Sequence, residues 1–223
     1  MQIAIMQPTF LPWMGYFQMI NQVDYFILLN DVQFEKQSWQ SRNKIKSQNN
    51  ELFITLHVKK CPLKSKIQDI ELIKNQKFRI KILKTLKQNY NKSINFQKYY
   101  PLIENILLNS TNLCQTNIEL IQLFLKILKI NTPLYKSSEL NLTPKSKDLY
   151  IIDICKYFNA TSYLCANGSK AYMNMKLYNE QGIKIQFFNY DHPIYHQTGK
   201  NFISHLSIVD LVFNEPNPHL FFQ

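Results

Sequence analysis

The order of the first two apolar runs constrains this chain more than any other feature in it. Residues 2–6 (QIAIM) form a short run that stops at Gln7-Pro8, and Asp24 to Leu29 (DYFILL) form a second that stops at Asn30-Asp31. Both are long enough for buried strands and too short for helices. Between them an amphipathic stretch passes Pro12 and Gly15 and ends near Asn21. Strand, helix, strand is a βαβ unit, whose two strands run parallel and are joined by a right-handed crossover. The expectation is an α/β fold with a mostly parallel, Rossmann-like sheet.

The rest of the chain fills in that frame. Leu52 to Val58 (LFITLHV) alternates as a third strand and is followed by a basic loop. From about Asp69 to Ile130 the apolar period lengthens to that of helices: Ile80, Leu83, Leu86 and Tyr90; then Leu102, Ile103, Ile106 and Leu107; then Ile118, Ile121, Leu125 and Leu128. Asp148–Tyr157 reads as a helix, Thr161–Cys165 as a strand, Ala171–Glu180 as a helix and Ile183–Asn189 as a strand. ISHLSIVDLVFN closes the chain as a last helix. This gives three parts: an N-terminal βαβ part (1–68), a helical insertion or cap (69–147), and a C-terminal α/β part (148–223) that completes the same domain.

Glycine narrows the chemistry. The chain has four, at 15, 168, 182 and 199, too widely spaced for a G-x-G-x-x-G dinucleotide turn or a phosphate loop of the G-x-x-x-x-G-K type. Cysteines 61, 114, 155 and 165 have no C-x-x-C spacing, which argues for reduced thiols and against a zinc site. No metal and no tightly bound cofactor is expected. No apolar run reaches the roughly 18 residues of a membrane span, and MQIAIMQPTF lacks the basic start and cleavage site of a signal peptide, so a cytoplasmic protein is expected.

The net charge of +11 invites a nucleic-acid reading, but of 26 basic residues only Arg42 and Arg79 are arginine. The Lys, Asn and Ile excess is what an AT-rich genome writes whatever the function. Base and phosphate recognition favours the arginine fork. A generic basic surface, or a small anionic substrate, fits better than any specific nucleic acid.

In parallel sheets ligands bind beyond the carboxyl ends of the strands, and three strand exits here concentrate unusual side chains. The first is Gln7 with Phe10, Trp13 and Tyr16, an aromatic turn stiffened by Pro8 and Pro12 and suited to a flat ring. The second has Asp31 and Gln33 at i, i+2 at a strand exit, followed by Arg42 and Asn43, which suit a phosphate or carboxylate. The third joins Cys165 and the turn Asn167, Gly168, Ser169, Lys170 to the loop Asp191, His192, Tyr195. If strands 161–165 and 183–189 are neighbours, Cys165 is either a thiol beside the His192 base or an inert buried thiol. His192, between Asp and Pro in a loop, is the candidate general base.

IAIMQPTFLPWMGYF, NDVQF, SRNKI, YLCANGSKAY, DHPIYHQ and HLSIVDLVFN together resemble the WbqC-like protein family, in the family's order and over nearly the whole chain. Two departures stand out. The family pattern near residue 165 more often has Ser followed by Gly-Pro, and its opening turn more often has tyrosine where this chain has Trp13. A more distant likeness is to nucleotidyl transferases with an H-x-G-H element in the first βα turn. Here Trp13-Met14-Gly15-Tyr16 puts aromatics in place of both histidines, so adenylyl transfer by that route is not expected.

The resemblance implies a bacterial surface-polysaccharide or O-antigen context. The residues suggest a transferase that modifies a nucleotide-linked amino sugar by N-acyl or aminoacyl transfer, with a donor the sequence leaves open. In that reading His192 takes a proton from the sugar amine and Asp191 or Tyr195 orients it. Arg42 and Lys170 hold phosphate, while Gln7, Asp31 and Gln33 read hydroxyls. The alternative is a non-catalytic sugar-nucleotide-binding or scaffold protein of the same pathway. The oligomeric state is not legible.

Overall fold

The computed structural model describes residues 1–143, 147–171 and 173–223. Its elements run β1 (Gln2–Met6), α1 (Met14–Asn21), β2 (Tyr25–Leu28), β3 (Arg42–Ser47), β4 (Asn50–Thr55), α2 (Lys77–Tyr90), α3 (Phe96–Asn109), α4 (Leu113–Leu128), β5 (Leu134–Lys136), α5 (Lys147–Tyr157), β6 (Ser162–Ala166), α6 (Met175–Glu180), β7 (Lys184–Phe188) and α7 (Ile208–Asn214). The first βα turn, the helix from Met14 and the two flanking strands are as expected. β1 and β2 pair in parallel, with Ile3 opposite Tyr25 and Met6 opposite Leu28.

A five-stranded sheet has the order β5-β2-β1-β6-β7, and every pair in it is parallel. The chain starts in the centre, winds outward through β2 to β5, then returns to the other side of β1 for β6 and β7. This is the doubly wound order, and its direction reverses between β1 and β6, where such sheets open a crevice at their carboxyl edge. Both faces of the strands are covered, which explains why QIAIM and YFIL are apolar without alternation.

Contacts divide the chain into two units, cut at other places than the periodicity suggested. The sheet unit takes 1–7, 18–32 and 131–191; the second takes 8–17, 33–130 and 192–223. In the sheet unit, Ile3, Ile5, Ile27, Tyr163 and Ile183 pack with Ile151, Ile152 and Ile154 of α5 in one buried cluster. The second unit contains the helices α2–α4, but it also takes a hairpin and α7, because its core needs them. All seven residues of α7 are buried.

Four elements differ from expectation. The run at 52–58 is not a strand of the main sheet: β4 pairs antiparallel with β3, Arg42 opposite Thr55 and Ser47 opposite Asn50. β3 (RNKIKS) is too polar to read as a strand, and β5 has only three residues. The helix expected from Ala171 begins at Met175, preceded by a short 3₁₀ turn at Asn167–Ala171; Tyr172, within that expected helix and the YLCANGSKAY motif, lies outside the described residues. Among the described residues no helix is long and apolar enough to cross a membrane.

Candidate functional site

The sheet unit carries Gln7, Asp31, Cys165, Asn167, Ser169, Lys170 and Asp191; the second unit carries Phe10, Trp13, Tyr16, Gln33, Arg42, Asn43, His192 and Tyr195.

In the sheet unit the topological switch point lies between the ends of β1 and β6. Ala4 stands opposite Leu164, so the same register carried forward brings Gln7, just past β1, level with Asn167, just past β6. The turn that follows β6 has Asn167, Gly168 and Lys170 exposed and Ser169 half-buried. The Asn167 amide reaches the Asn189 side chain at 3.5 Å, and the Lys170 ammonium lies 5.5 Å from the centre of the Phe187 ring. Asp191, after β7, is exposed.

Two other candidates of this unit have different surroundings from those expected. Asp31 is buried, and both its carboxylate oxygens accept from the protein: one from the Ser137 hydroxyl, the other from Tyr150 at 2.5 Å. Ser137 follows β5 and also accepts from the Asn30 backbone N–H at 3.1 Å. Asp31 therefore braces the exit of β2 against that of β5 instead of reading hydroxyls. Burial, aided by that carboxylate, pushes the Tyr150 phenol up. Cys165 is 1% exposed, inside the apolar cluster, with its thiol toward the Gln186 carbonyl at 3.5 Å. Burial pushes the thiol up to about 11, so at neutral pH it is protonated and a poor nucleophile.

The second unit separates the three aromatics of the opening turn. Phe10 is 0% and Tyr16 3% exposed, so both are core residues and form no wall for a ligand ring; burial raises the Tyr16 phenol strongly. Trp13 alone is half-buried. Its indole stacks on His205, centroids 5.0 Å apart and planes at 28°. It also covers Gly15, where an added Cβ would come within 2.2 Å of the ring. The pair Arg42-Asn43 is likewise diverted. Asn43 is buried and donates to the carbonyls of Phe10 (3.0 Å) and Leu11 (2.8 Å), which fixes the turn. The Arg42 guanidinium lies 4.8 Å above the Phe53 ring. Gln33 is exposed and bridges to Lys66.

His192 is half-buried. Its Nδ1 is 2.9 Å from the Pro193 carbonyl. A carbonyl only accepts, so in the neutral ring Nδ1 carries the proton and Nε2 the lone pair. The ring centre lies 4.9 Å from that of His205 and 5.8 Å from that of Phe202. Burial, with His205 adding to it, holds the imidazole below its usual range, against the opposing pull of the Pro193 carbonyl. The Tyr195 hydroxyl is directed to Asp210, 2.9 Å away, and the Tyr195 ring centre lies 6.0 Å from that of His192.

Sequence reasoning missed the network behind this loop. Asp210, fully buried on α7, accepts from Tyr90 at 2.7 Å and Tyr195 at 2.9 Å. Lys46, 2% exposed, donates to Gln197 at 3.2 Å and to the Asn201 carbonyl. Burial raises the Asp210 carboxyl, with both tyrosines and Lys46 opposing; burial lowers the Lys46 ammonium, with Asp210 opposing. Together these bonds pin the segment from His192 to His205 at Tyr195, Gln197 and Asn201. His205 itself has φ 60, a conformation uncommon outside glycine. Asp210 did leave a signal, as an acid inside IVDLVF three residues after Ser207, which caps α7 by accepting from Val209. Lys46 and His205 left none. Among the described residues no group of three or more His, Cys, Asp or Glu is placed to hold a metal ion.

The WbqC-like protein family matches the chain over residues 7–220. "Uncharacterized protein Rv1507c" of Mycobacterium tuberculosis (strain ATCC 25618 / H37Rv) is similar to it, 30% identical over 217 residues that make up 96% of this chain and 93% of that protein. No solved structure matches.

Proposed function

The chain belongs to the WbqC-like protein family, and from that premise we propose that it is a cytoplasmic transferase acting on a nucleotide-linked amino sugar for bacterial surface-polysaccharide assembly. The observation that carries the reading is the doubly wound sheet order. It supports a nucleotide-diphosphate ligand at the switch point, where Gln7 and the turn Asn167, Ser169 and Lys170 follow β1 and β6.

The reaction in this reading is N-acyl or aminoacyl transfer. His192 is the base in this reading: with Nδ1 at the Pro193 carbonyl its lone pair is on Nε2, an atom buried beneath the surface, and burial lowers its imidazole. The sugar amine attacks the carbonyl carbon of an activated ester or thioester, and the new C–N bond forms. The amine proton passes to Nε2, the bond from the carbonyl carbon to the leaving oxygen or sulfur breaks with its electron pair, and His192 returns the proton to that group. Cys165 and Asp31 take no part, and Asp191 has no assigned role.

The test is incubation of the purified protein with UDP- and dTDP-linked amino sugars and acyl or aminoacyl thioesters, read by mass spectrometry of the sugar nucleotide. The expected result is a mass gain equal to the acyl group, reduced about 10²–10⁴-fold in His192→Ala with sugar-nucleotide binding retained. Binding without any mass gain, in wild type and variant alike, points instead to the non-catalytic binding or scaffold protein. Absence of binding overturns both.

A further inference from the structure

Only four glycines remain in this chain, and the fold accounts for three. Gly15 has the Trp13 indole lying on it, three ring atoms within 2.6 Å of where a Cβ would stand. Gly182 and Gly199 have φ of 70 and 93, in the left-handed region that side chains avoid. Gly168 has neither reason. Its φ lies outside that region, and among the described residues nothing comes within 4 Å of an added Cβ. An alanine there would be unstrained and uncrowded, and glycine in such a position costs backbone entropy with no return to the fold.

The empty space has a definite address. Gly168 is exposed, two residues past the end of β6 and beside the switch point between β1 and β6. Ser169 and Lys170 follow it in the chain, a hydroxyl donor and a point charge of the kind that holds phosphate oxygens, with the Lys170 ammonium 5.5 Å from the centre of the Phe187 ring. A bare Cα lets an anion approach the main chain more closely than any side chain permits.

We infer that Gly168 is the close-approach point of a diphosphate, bound by the turn Asn167–Lys170 with Ser169 donating a hydrogen bond and Lys170 supplying the charge. The identity of the ligand as a nucleoside diphosphate rests on the proposed function; the diphosphate chemistry itself rests on the turn.

Gly168→Ala tests this in the full chain because it separates binding from folding. The variant should unfold at the wild-type temperature or slightly above it. By calorimetric titration with uridine diphosphate and with inorganic pyrophosphate, it should bind both at least about tenfold more weakly than wild type, the size of one lost hydrogen bond to a charged group. Lys170→Ala should weaken both probes as well, and should flatten the salt dependence of pyrophosphate binding. Binding of pyrophosphate alone would keep the inference and remove the nucleoside. If wild type binds uridine diphosphate and Gly168→Ala binds it equally, the inference fails and the proposed function stands. If wild type binds neither probe, both fail. A variant whose melting temperature drops by several degrees would show that the fold needs this glycine, and that too would overturn the inference.

Discussion

Gly15→Ala is the sharpest test of the packing around the second-unit histidines. Gly15 is the second residue of α1, so propensity alone favours alanine by up to about 1 kcal/mol. Against this, the new Cβ would stand 2.2, 2.4 and 2.6 Å from three atoms of the Trp13 six-membered ring, where carbon atoms normally rest about 3.5–4.0 Å apart. The indole must retreat by more than an ångström, and it cannot do so without altering its stack on His205. Overpacking of this kind costs about 1–3 kcal/mol. Set against the full helix gain, the steric cost leaves a net loss of about 0–2 kcal/mol, or up to about 8 °C in melting temperature for a chain of this length.

The control is the same substitution made in Trp13→Ala. With the ring removed, Gly15→Ala should become neutral or stabilising, and a double-mutant cycle should return a coupling energy of about 2 kcal/mol between positions 13 and 15. Urea unfolding is followed by far-ultraviolet circular dichroism in all four members of the cycle, since the chain has two tryptophans and the Trp13→Ala variants lose one of them as a fluorescence reporter. Should Gly15→Ala stabilise the protein equally with and without Trp13, the ring does not lie over Gly15 and the bracing of His205 by Trp13 falls with it.

Two further outcomes follow from the same unit. His205→Asn removes one of the influences that lower the His192 imidazole, so the His192 titration followed by NMR should shift upward; an unchanged or lower value would refute the pairing. Because the folded-state value of His192 is depressed, its contribution to stability is present above the unfolded value near 6.5 and is lost as pH falls through the folded one. Asp210→Ala leaves two buried tyrosine hydroxyls without their acceptor and Lys46 without its counter-charge, so it should cost about 3–5 kcal/mol in denaturant unfolding; a loss under 1 kcal/mol would show the network to be incidental.

The sheet was legible because its strands are buried on both faces and their apolar runs end sharply at Pro8 and Asn30-Asp31. β3 was not, because a two-stranded hairpin needs only alternate side chains inside: Asn43 and Ile45 are buried while Arg42 and Lys44 are half-exposed. Lys46 breaks the alternation: it shares the face of Arg42 and Lys44 yet is buried, its charge accommodated by carbonyl acceptors that come from residues 197–201, which no local pattern can announce. The same limit governs the site residues. The position of Gln7 just past β1 and of the Asn167–Lys170 turn just past β6 was legible, since position relative to a strand is a local property. Whether an aromatic or a carboxylate at such an exit faces outward is decided by distant partners. Phe10 and Tyr16 went to the core, Asp31 to Ser137 and Tyr150, and Asn43 to two carbonyls of the opening turn.

The distribution of cations makes the same point about chemistry. Both arginines are engaged within the second unit: Arg79 is buried and donates to the Ser110 and Lys74 carbonyls, and Arg42 lies over Phe53. Each uses what lysine lacks, a planar multi-donor head or a flat face for stacking. The remaining positive charge is lysine, a compact and strongly hydrated ion that pairs with phosphate as a point charge. Just past β6 the cation is Lys170, two residues after Gly168, where among the described residues nothing comes within 4 Å of an added Cβ.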